Sequence, residues 1–212
     1  MTEKEMIQEL VKDGYISSKE IIRAMGEIHR EQFVLDEEKS RAYENLPLPT
    51  GGGLFVSQPS TAGFLLELLK PKQGEKILVI GAGTGWIVGI ITTIVSKEKK
   101  EGTQKGKVIA IEPDEESSHI ATKNLERYSY ISDGVIEVIN DSWNSEKITQ
   151  SPYDAIIALR GIKKIPQFWY DAVRVGGRII VPISESIFVK EKTSGTEFKT
   201  REYFGFNFPQ FS

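Results

Sequence analysis

Three glycines at alternate positions, Gly81, Gly83 and Gly85, give the clearest indication of a ligand site in this sequence. Glycine lets the backbone turn sharply and lie close to a ligand. The apolar run 77–80 before them predicts a strand buried on both faces of a parallel sheet, and isoleucines at helical spacing after them predict a helix. Strand, glycine turn and helix in this order place a ligand at the carboxyl edge of a sheet. The alternative, a strand-to-helix turn without a ligand, does not need three glycines.

The spacing of these glycines distinguishes them from two phosphate-binding motifs. A dinucleotide-binding turn has its third glycine one residue later than Gly85, at the position that Trp86 fills here. A P-loop requires a Gly-Lys-Ser/Thr sequence, which does not follow. The G-x-G-x-G pattern instead resembles the first motif of class I S-adenosylmethionine-dependent methyltransferases.

Composition narrows the class of protein. A chain of 212 residues suffices for one domain, or for one domain with a small appendage. The formal net charge of −3, with 27% charged residues, gives no support for nucleic acid as the main partner. The chain has no cysteine for disulfides or thiolate chemistry, and no apolar run approaches the roughly 20 residues of a membrane span. We therefore expect a cytoplasmic protein that does not insert into a membrane.

Glu112 is the second candidate ligand residue, because it ends the predicted strand 107–112 that follows the glycine turn. A carboxylate in that place can accept hydrogen bonds from the two ribose hydroxyls of an adenosine, one at each oxygen. The alternative is an ordinary surface or helix-capping carboxylate. The position at a strand end favours the ligand role, and Pro113 and Asp114 then begin a helix.

Strands and helices alternate along the rest of the chain, which indicates an α/β fold. Further strands are predicted at 135–139, 153–159 and 178–183, and a closing antiparallel pair at 186–191 and 201–208. With the class I resemblance, we expect a doubly wound, mostly parallel, seven-stranded sheet of Rossmann-like topology. The two histidines and the scattered carboxylates give no pattern of metal ligands, so no metal is expected.

The N-terminal part is predicted to form a helical cap. Thr2 with Glu5, and Ser17 with Glu20, each match a capping box before apolar residues at helical spacing. Residues 30–60 lack periodicity and contain prolines and three glycines at 51–53, which predicts a long loop with a functional reason. We expect residues 1–60 to be the cap and substrate loop and residues 61–212 to be the cofactor-binding domain, in one compact unit.

An ordered set of short motifs makes the resemblance more specific. The set is Arg30-x-x-Phe33-Val34, Ala42-Tyr43-Glu44-Asn45-x-Pro47-Leu48-Pro49, Ser57-Gln58-Pro59, the glycine turn, residues 152–156, Ile165-Pro166 and residues 176–182. In this order, over about residues 30–183, the sequence resembles the protein-L-isoaspartate O-methyltransferase family. The resemblance implies methyl transfer from S-adenosylmethionine to the α-carboxylate of L-isoaspartyl residues in damaged proteins, which is a protein-repair reaction.

The resemblance also implies the residues of the site. An ionised carboxylate is already a nucleophile, so the reaction requires alignment and exclusion of water and no strong base. Ser57 would be the catalytic residue, donating a hydrogen bond to the acceptor or positioning it. The peptide would contact Tyr43, Pro49, Gln58 and Pro59. The cofactor would contact Gly81, Ala82, Gly83, Thr84, Gly85, Glu112, Pro113, Asp141 and Ser142.

Four departures from the family pattern leave alternatives open. Val79 stands where an acidic residue is usual, two positions before the first glycine, and Asn140 and Ser142 replace the glycines that flank Asp141. Residues 159–164 replace a run of small residues, and residues 184–187 replace a Gly and a Gln. Trp143 either stacks on adenine or packs against the protein. The alternatives are a methyltransferase for RNA or a small molecule, with Arg160, Lys163 and Lys164 suited to an anionic acceptor, and a non-catalytic descendant that has lost the cofactor.

Overall fold

The fold centres on a seven-stranded sheet in a computed structural model that describes residues 1–50, 54–97, 105–145 and 152–211. The helices are α1 (Glu3–Lys12), α2 (Lys19–Glu27), α3 (Pro59–Leu69), α4 (Trp86–Val95), α5 (Glu115–Glu126) and α6 (Gln167–Ala172). The strands are β1 (Leu48–Pro49), β2 (Phe55–Val56), β3 (Lys76–Ile80), β4 (Lys107–Glu112), β5 (Ile136–Asn140), β6 (Tyr153–Ala158), β7 (Val173–Ile183), β8 (Ser186–Lys192) and β9 (Phe198–Phe204).

The sheet has the order β5-β4-β3-β6-β7-β8-β9 and is mostly parallel, as predicted. The first five strands in this order run parallel, and β8 and β9 are antiparallel additions at one edge. The chain builds outward from β3 in one direction through β4 and β5, and then in the other direction through β6 and β7. A crevice forms at such a reversal of strand order, outside the carboxyl ends of the strands. The predicted glycine turn follows β3 at this point.

Strand β3 is buried on both faces, which confirms the prediction from its apolar run. Successive side chains of a strand point to opposite faces. Ile77 and Val79 belong to the core that faces α4, whereas Leu78 and Ile80 belong to the core on the other face of the sheet. The strand therefore holds the following glycines at a rigid position in the centre of the molecule.

The helices α1 and α2 pack as a cap on the α4 side of the sheet, and their buried residues share one core with β3. The capping box of α1 is confirmed: the Glu5 amide donates to the Thr2 hydroxyl at 3.3 Å, and the Thr2 amide donates to the Glu5 carboxylate at 2.7 Å. The prediction of a second capping box, Ser17 with Glu20, is wrong. The Glu67 carboxylate of α3 accepts from the amides of Ser17 and Ser18 at 2.6 and 2.7 Å, so a distant residue supplies the acceptor. The division at residue 60 stays a prediction.

Residues 30–60 were expected to form a loop, but the described part contains short regular elements. Two 3₁₀ turns, Arg30–Phe33 and Asp36–Arg41, precede the small hairpin of β1 and β2, in which Leu48 lies opposite Val56. The three glycines at 51–53 lie outside the described residues. The largest differences in strand boundaries are at β7, which begins five residues earlier, at Val173, and at β9, which covers Phe198–Phe204 and not 201–208.

The described ranges contain neither a membrane-spanning helix nor a cluster of metal ligands. None of their helices combines the length and apolar character that crossing a bilayer requires. Within the same ranges, no three His, Asp or Glu side chains come together in a way that could hold a metal ion.

Candidate active site

The glycine turn connects β3 to α4 with positive φ at all three glycines: 86° at Gly81, 55° at Gly83 and 91° at Gly85. The Gly81 amide donates to the Ile111 carbonyl at 2.8 Å, which ties the turn to the end of β4. A methyl group on Gly85 would lie 3.1 Å from the Leu125 side chain, so α5 packs directly on this glycine. A methyl group on Gly83 would meet nothing within 4 Å. Gly83 is therefore the glycine whose backbone is open to a ligand.

Glu112 lies at the end of β4 and faces the glycine turn. Its side chain is 1% exposed, and its Oε2 accepts from the Gly83 amide at 2.8 Å. Its Oε1 accepts from the Asp114 amide at 3.3 Å. A carboxylate oxygen has two lone pairs, so both oxygens retain capacity for one more donor. The two hydroxyls of a ribose would need one such free acceptor position on each oxygen.

Burial raises the pKa of the Glu112 carboxyl above its ordinary value. The hydrogen bonds from Gly83 and Asp114 and the positive charge of Arg160 oppose this shift, because each of them stabilises the ionised form. The effect of burial is larger than theirs. Glu112 is therefore a carboxylate whose ionisation depends closely on what surrounds it.

The end of β5 supplies the next part of the site. Asn140, which replaces a family glycine, donates from Nδ2 to the carbonyls of Glu112 and Pro113 at 2.9 and 3.1 Å. It therefore fastens β5 to the end of β4, a role that sequence reasoning missed. Asp141 accepts from the Ser142 amide at 2.8 Å and from the Ser145 hydroxyl at 3.0 Å. Both residues lie beside Glu112, at the same edge of the sheet.

The C-terminal segment 205–211 crosses this edge, which was not predicted. Its backbone pairs with Gly161 after β6: the Gly161 amide donates to the Pro209 carbonyl at 2.8 Å, and the Phe211 amide donates to the Gly161 carbonyl at 3.0 Å. The Phe211 ring lies so close to Gly81 that a Cβ there would be 2.9 Å from its Cζ. The sequence analysis missed this contact because it predicted a strand over 201–208, which would have kept these residues in the sheet.

Phe211 also contacts Trp143 and Arg160, whose roles the sequence analysis left open. Its ring stacks on Trp143, with centroids 5.8 Å apart and planes 18° apart. The Arg160 guanidinium lies over the same Phe211 ring, with its Cζ 5.3 Å from the ring centroid. In this structure Trp143 packs on Phe211, and its stacking on adenine stays a prediction.

Ser57 and its neighbours lie in the turn that leads into α3. The Ser57 side chain is half-buried, and its hydroxyl makes no hydrogen bond to any residue in the described ranges, whereas its carbonyl accepts from Arg30 at 3.0 Å. Gln58 donates from its side chain to the Asn45 carbonyl at 3.0 Å, and Pro59 is buried at the first position of α3. Among the described residues, the Ser57 hydroxyl therefore has no partner that a methyl acceptor would have to displace.

The two remaining predicted peptide contacts have different surroundings. Pro49 is exposed in β1 and pairs with Phe55, which is 59% exposed, so the hairpin presents an apolar outer surface. Tyr43 is half-buried against the core, and its phenol hydrogen-bonds to Glu31. Burial raises the pKa of Tyr43 far above its ordinary value. The structure therefore supports Pro49 better than Tyr43 as a surface for a peptide.

Open cavities occur at the other edge of the sheet. One of about 410 Å³ and one of about 490 Å³ are both lined by Lys70 and Lys72, which precede β3. None of the predicted site residues lines either cavity. The candidate site is consequently the set of strand ends after β3, β4 and β5, with the segment that leads into α3 and the C-terminal segment beside them.

Comparison with known proteins identifies the family to which this arrangement corresponds. The family model for protein-L-isoaspartate(D-aspartate) O-methyltransferase (PCMT) matches residues 1–205. A protein-L-isoaspartate O-methyltransferase of Hyperthermus butylicus is 32% identical over 202 residues, covering 93% of this chain and 83% of that protein. One from Pyrobaculum neutrophilum is 33% identical over 180 residues, covering 85% and 83%.

The fold agrees with that family. A Plasmodium falciparum structure described as a protein-L-isoaspartate O-methyltransferase, solved in complex with S-adenosyl-L-homocysteine, superposes with a TM-score of 0.85. The match covers 99% of this chain and 98% of that one at 17% identity. By its sequence over nearly its whole length, and by its fold, the chain belongs to the protein-L-isoaspartate(D-aspartate) O-methyltransferase family.

Proposed function

We propose that this protein transfers a methyl group from S-adenosylmethionine to the α-carboxylate of L-isoaspartyl residues in damaged proteins and peptides. The observation that carries the proposal is the buried Glu112 carboxylate, which faces the open Gly83 backbone at the switch point of the sheet. Family membership supports the same reaction. We propose the cytoplasm as its location, since a chain without cysteine suits a reducing compartment.

The residues present fit S-adenosylmethionine. Glu112 would hold the ribose, the turn around Gly83 would approach the amino-acid part, and Asp141 and Ser142 would lie beside the adenine. The cofactor has no phosphate, so the glycine turn has no anion to bind. When bound, it supplies an electrophilic methyl group on a sulfonium, and the protein then has to align the acceptor and exclude water.

Selectivity for isoaspartate would come from where the carboxylate lies relative to the methyl group of the cofactor. An isoaspartyl link adds a methylene to the main chain and moves the free carboxylate to the α position. A site that fixes the flanking peptide would present this carboxylate to the methyl group and would misplace an aspartyl side chain by about one bond. Misplacement on the scale of an ångström costs about a hundredfold in rate. The Ser57 hydroxyl, in the segment leading into α3, has no hydrogen-bond partner among the described residues, and we assign the orientation of the acceptor to it.

The test is transfer of a labelled methyl group to an isoaspartyl peptide, with the same peptide containing aspartate as the control. We expect clear preference for the isoaspartyl peptide. Equal labelling of the two peptides, or none, with cofactor binding intact would refute the proposed acceptor and leave RNA or a small molecule to be screened. Absence of S-adenosylhomocysteine binding in calorimetry would instead support a non-catalytic descendant.

The role of Ser57 is tested with Ser57→Ala, and Ser194→Ala in the β8–β9 turn serves as the matched control. We expect Ser57→Ala to lower turnover of the isoaspartyl peptide while the affinity for S-adenosylhomocysteine is retained, because the hydroxyl is assigned to the acceptor. Ser194→Ala should change neither quantity. Wild-type turnover in Ser57→Ala would remove Ser57 from the mechanism.

A further inference from the structure

Arg30 is a fully buried cation without a carboxylate partner among the described residues. Its side chain is 0% exposed, yet it forms no ion pair in those ranges, and its Nε has no hydrogen-bond partner there. Burial lowers the pKa of its guanidinium to about 10, so it remains charged at neutral pH. A buried charge without a counterion is costly, and main-chain dipoles are what stabilise this one.

Four carbonyl oxygens surround the guanidinium, and they come from two separate parts of the chain. Nη1 donates to the carbonyls of Ala42 and Glu44, the latter at 3.3 Å. Nη2 donates to the carbonyl of Leu46 at 2.8 Å and to that of Ser57 at 3.0 Å. Residues 42–46 and Ser57 come from the part of the chain assigned to the methyl acceptor, and we call them together the acceptor segment. Arg30 therefore holds both ends of the acceptor segment from inside the protein.

The same guanidinium rests on the first residue of α4. Its Cζ lies 5.3 Å from the centroid of the Trp86 ring, and the Trp86 indole donates to the Ile28 carbonyl at 3.1 Å. Trp86 is 1% exposed and directly follows Gly85. One side chain thus touches both the acceptor segment and the helix that the glycine turn begins.

We propose that Arg30 is a positioning residue, which fixes Ser57 and the rest of the acceptor segment relative to the cofactor turn by holding four main-chain carbonyls against Trp86. The proposal rests on the proposed function, because it takes Ser57 to orient the methyl acceptor. Arg30 itself touches no reacting atom. Its effect should therefore appear in the use of the peptide and leave the binding of the cofactor unchanged.

Arginine suits this role because its planar guanidinium presents several donors in a fixed fork. A lysine ammonium keeps the charge but is a single point, which cannot reach carbonyls on both sides of the acceptor segment. Arg30→Lys should consequently loosen Ser57 without removing it. Arg30→Gln offers a second variant that also removes the buried charge and retains two amide donors.

Arg178 provides a matched control. It is a partly buried arginine, with its side chain 13% exposed, and it also donates to main-chain carbonyls, those of Leu69 and Lys70, but it lies at the other edge of the sheet. Arg178→Lys should reduce stability without affecting the acceptor segment. The control therefore separates the general effect of losing an arginine that binds main-chain carbonyls from the effect of losing Arg30.

The experiment compares kcat and KM for the isoaspartyl peptide with the affinity for S-adenosylhomocysteine in the full-length wild type and the three variants. We expect Arg30→Lys and Arg30→Gln to lose up to about a hundredfold in kcat/KM, as for misplacement on the ångström scale, with unchanged S-adenosylhomocysteine affinity. Arg178→Lys should retain wild-type kcat/KM where it is folded.

Each other outcome overturns the proposal. Parallel loss of peptide turnover and cofactor affinity in the Arg30 variants, or failure of both to fold, would make Arg30 a general structural residue. Wild-type kcat/KM in Arg30→Lys would show that the fork is not needed. The wild-type assay is read first, so that failure of the proposed function is recognised separately from failure of this inference.

Discussion

Glu112 combines two demands at the scale of a single residue. It must be ionised to accept from two ribose hydroxyls, yet it is 1% exposed, and burial raises its pKa. The amides of Gly83 and Asp114 lower the cost of ionisation but do not remove it. Ribose hydroxyls would add two further donors to the charged form. Cofactor binding and ionisation of Glu112 should therefore favour each other.

The first prediction concerns this carboxylate. Glu112→Ala should weaken S-adenosylhomocysteine binding by about 1.5–3 kcal/mol, the usual value for hydrogen bonds to a charged group. Because only the ionised form accepts from both hydroxyls, and because the pKa is raised, wild-type affinity should fall as the pH is lowered, beginning at a higher pH than for an ordinary glutamate. Calorimetry across the pH range measures both effects. Glu137→Gln, on the exposed side of β5, is the control, and an unchanged affinity in Glu112→Ala would be incompatible with ribose binding.

Val79 is one of the four departures from the pattern that the resemblance implies. It is 0% exposed, and it lies between Ala110 of β4 and Ile157 of β6 in the register of the sheet. All three belong to the apolar core on the α4 side. The position therefore offers apolar side chains to a glutamate.

We predict that Val79→Glu destabilises the protein by about 3 kcal/mol or more, because it places a carboxyl in the core without a partner. Val79→Thr, of similar volume, controls for the change in shape and should cost less. Urea unfolding and S-adenosylhomocysteine affinity are measured together. Tighter cofactor binding with unchanged stability would mean that the glutamate finds a partner, and that the wild type has lost a cofactor contact.

At the scale of elements, the C-terminal segment is the part of the site that local patterns did not reveal. A strand was predicted over 201–208, but β9 ends at Phe204, and the following residues leave the sheet. They pair with Gly161 and carry Phe211 to Gly81. These partners are 48 or more residues away in sequence, and apolar alternation gives no information on contacts at that distance.

The third prediction is that Phe211 competes with the cofactor for the surface of Gly81. Its ring stacks on Trp143 and would be 2.9 Å from a Cβ on Gly81, so a ligand that approaches this backbone must displace it. Stacking of this kind contributes about 0.5–1.5 kcal/mol. Phe211→Ala should therefore strengthen S-adenosylhomocysteine binding by a similar amount in calorimetry. Phe208→Ala, in the same segment, is the control, and weaker binding in Phe211→Ala would show that the ring covers the bound cofactor.

At the scale of the whole molecule, the cap and the sheet form one structure. Met6 of α1 and Met25 of α2 belong to the same buried cluster as Ile77 of β3. The fold class, the glycine turn and the position of Glu112 at the end of β4 could be predicted, because each depends on residues adjacent in sequence. Local patterns could not predict that Glu67 accepts hydrogen bonds at the start of α2, or which carbonyls Arg30 binds. Both depend on which distant segments the completed fold brings together.

The last prediction concerns how the two halves of the sheet are joined at the edge opposite the site. Arg178 of β7 forms a two-pronged ion pair with Glu75, with Nη1–Oε1 at 3.0 Å and Nη2–Oε2 at 2.8 Å, and the two side chains are 13% and 9% exposed. Removing one partner leaves the other charge buried, which costs about 3–5 kcal/mol. Glu75→Gln should therefore lower the free energy of unfolding in urea by about this amount, and the double variant Glu75→Gln with Arg178→Met should lose less than the sum of the two single changes. Additive losses would show that the pair contributes nothing beyond its separate contacts.

Because both residues lie away from the strand ends that hold Glu112, kcat/KM for the isoaspartyl peptide should be unchanged wherever the variants are folded.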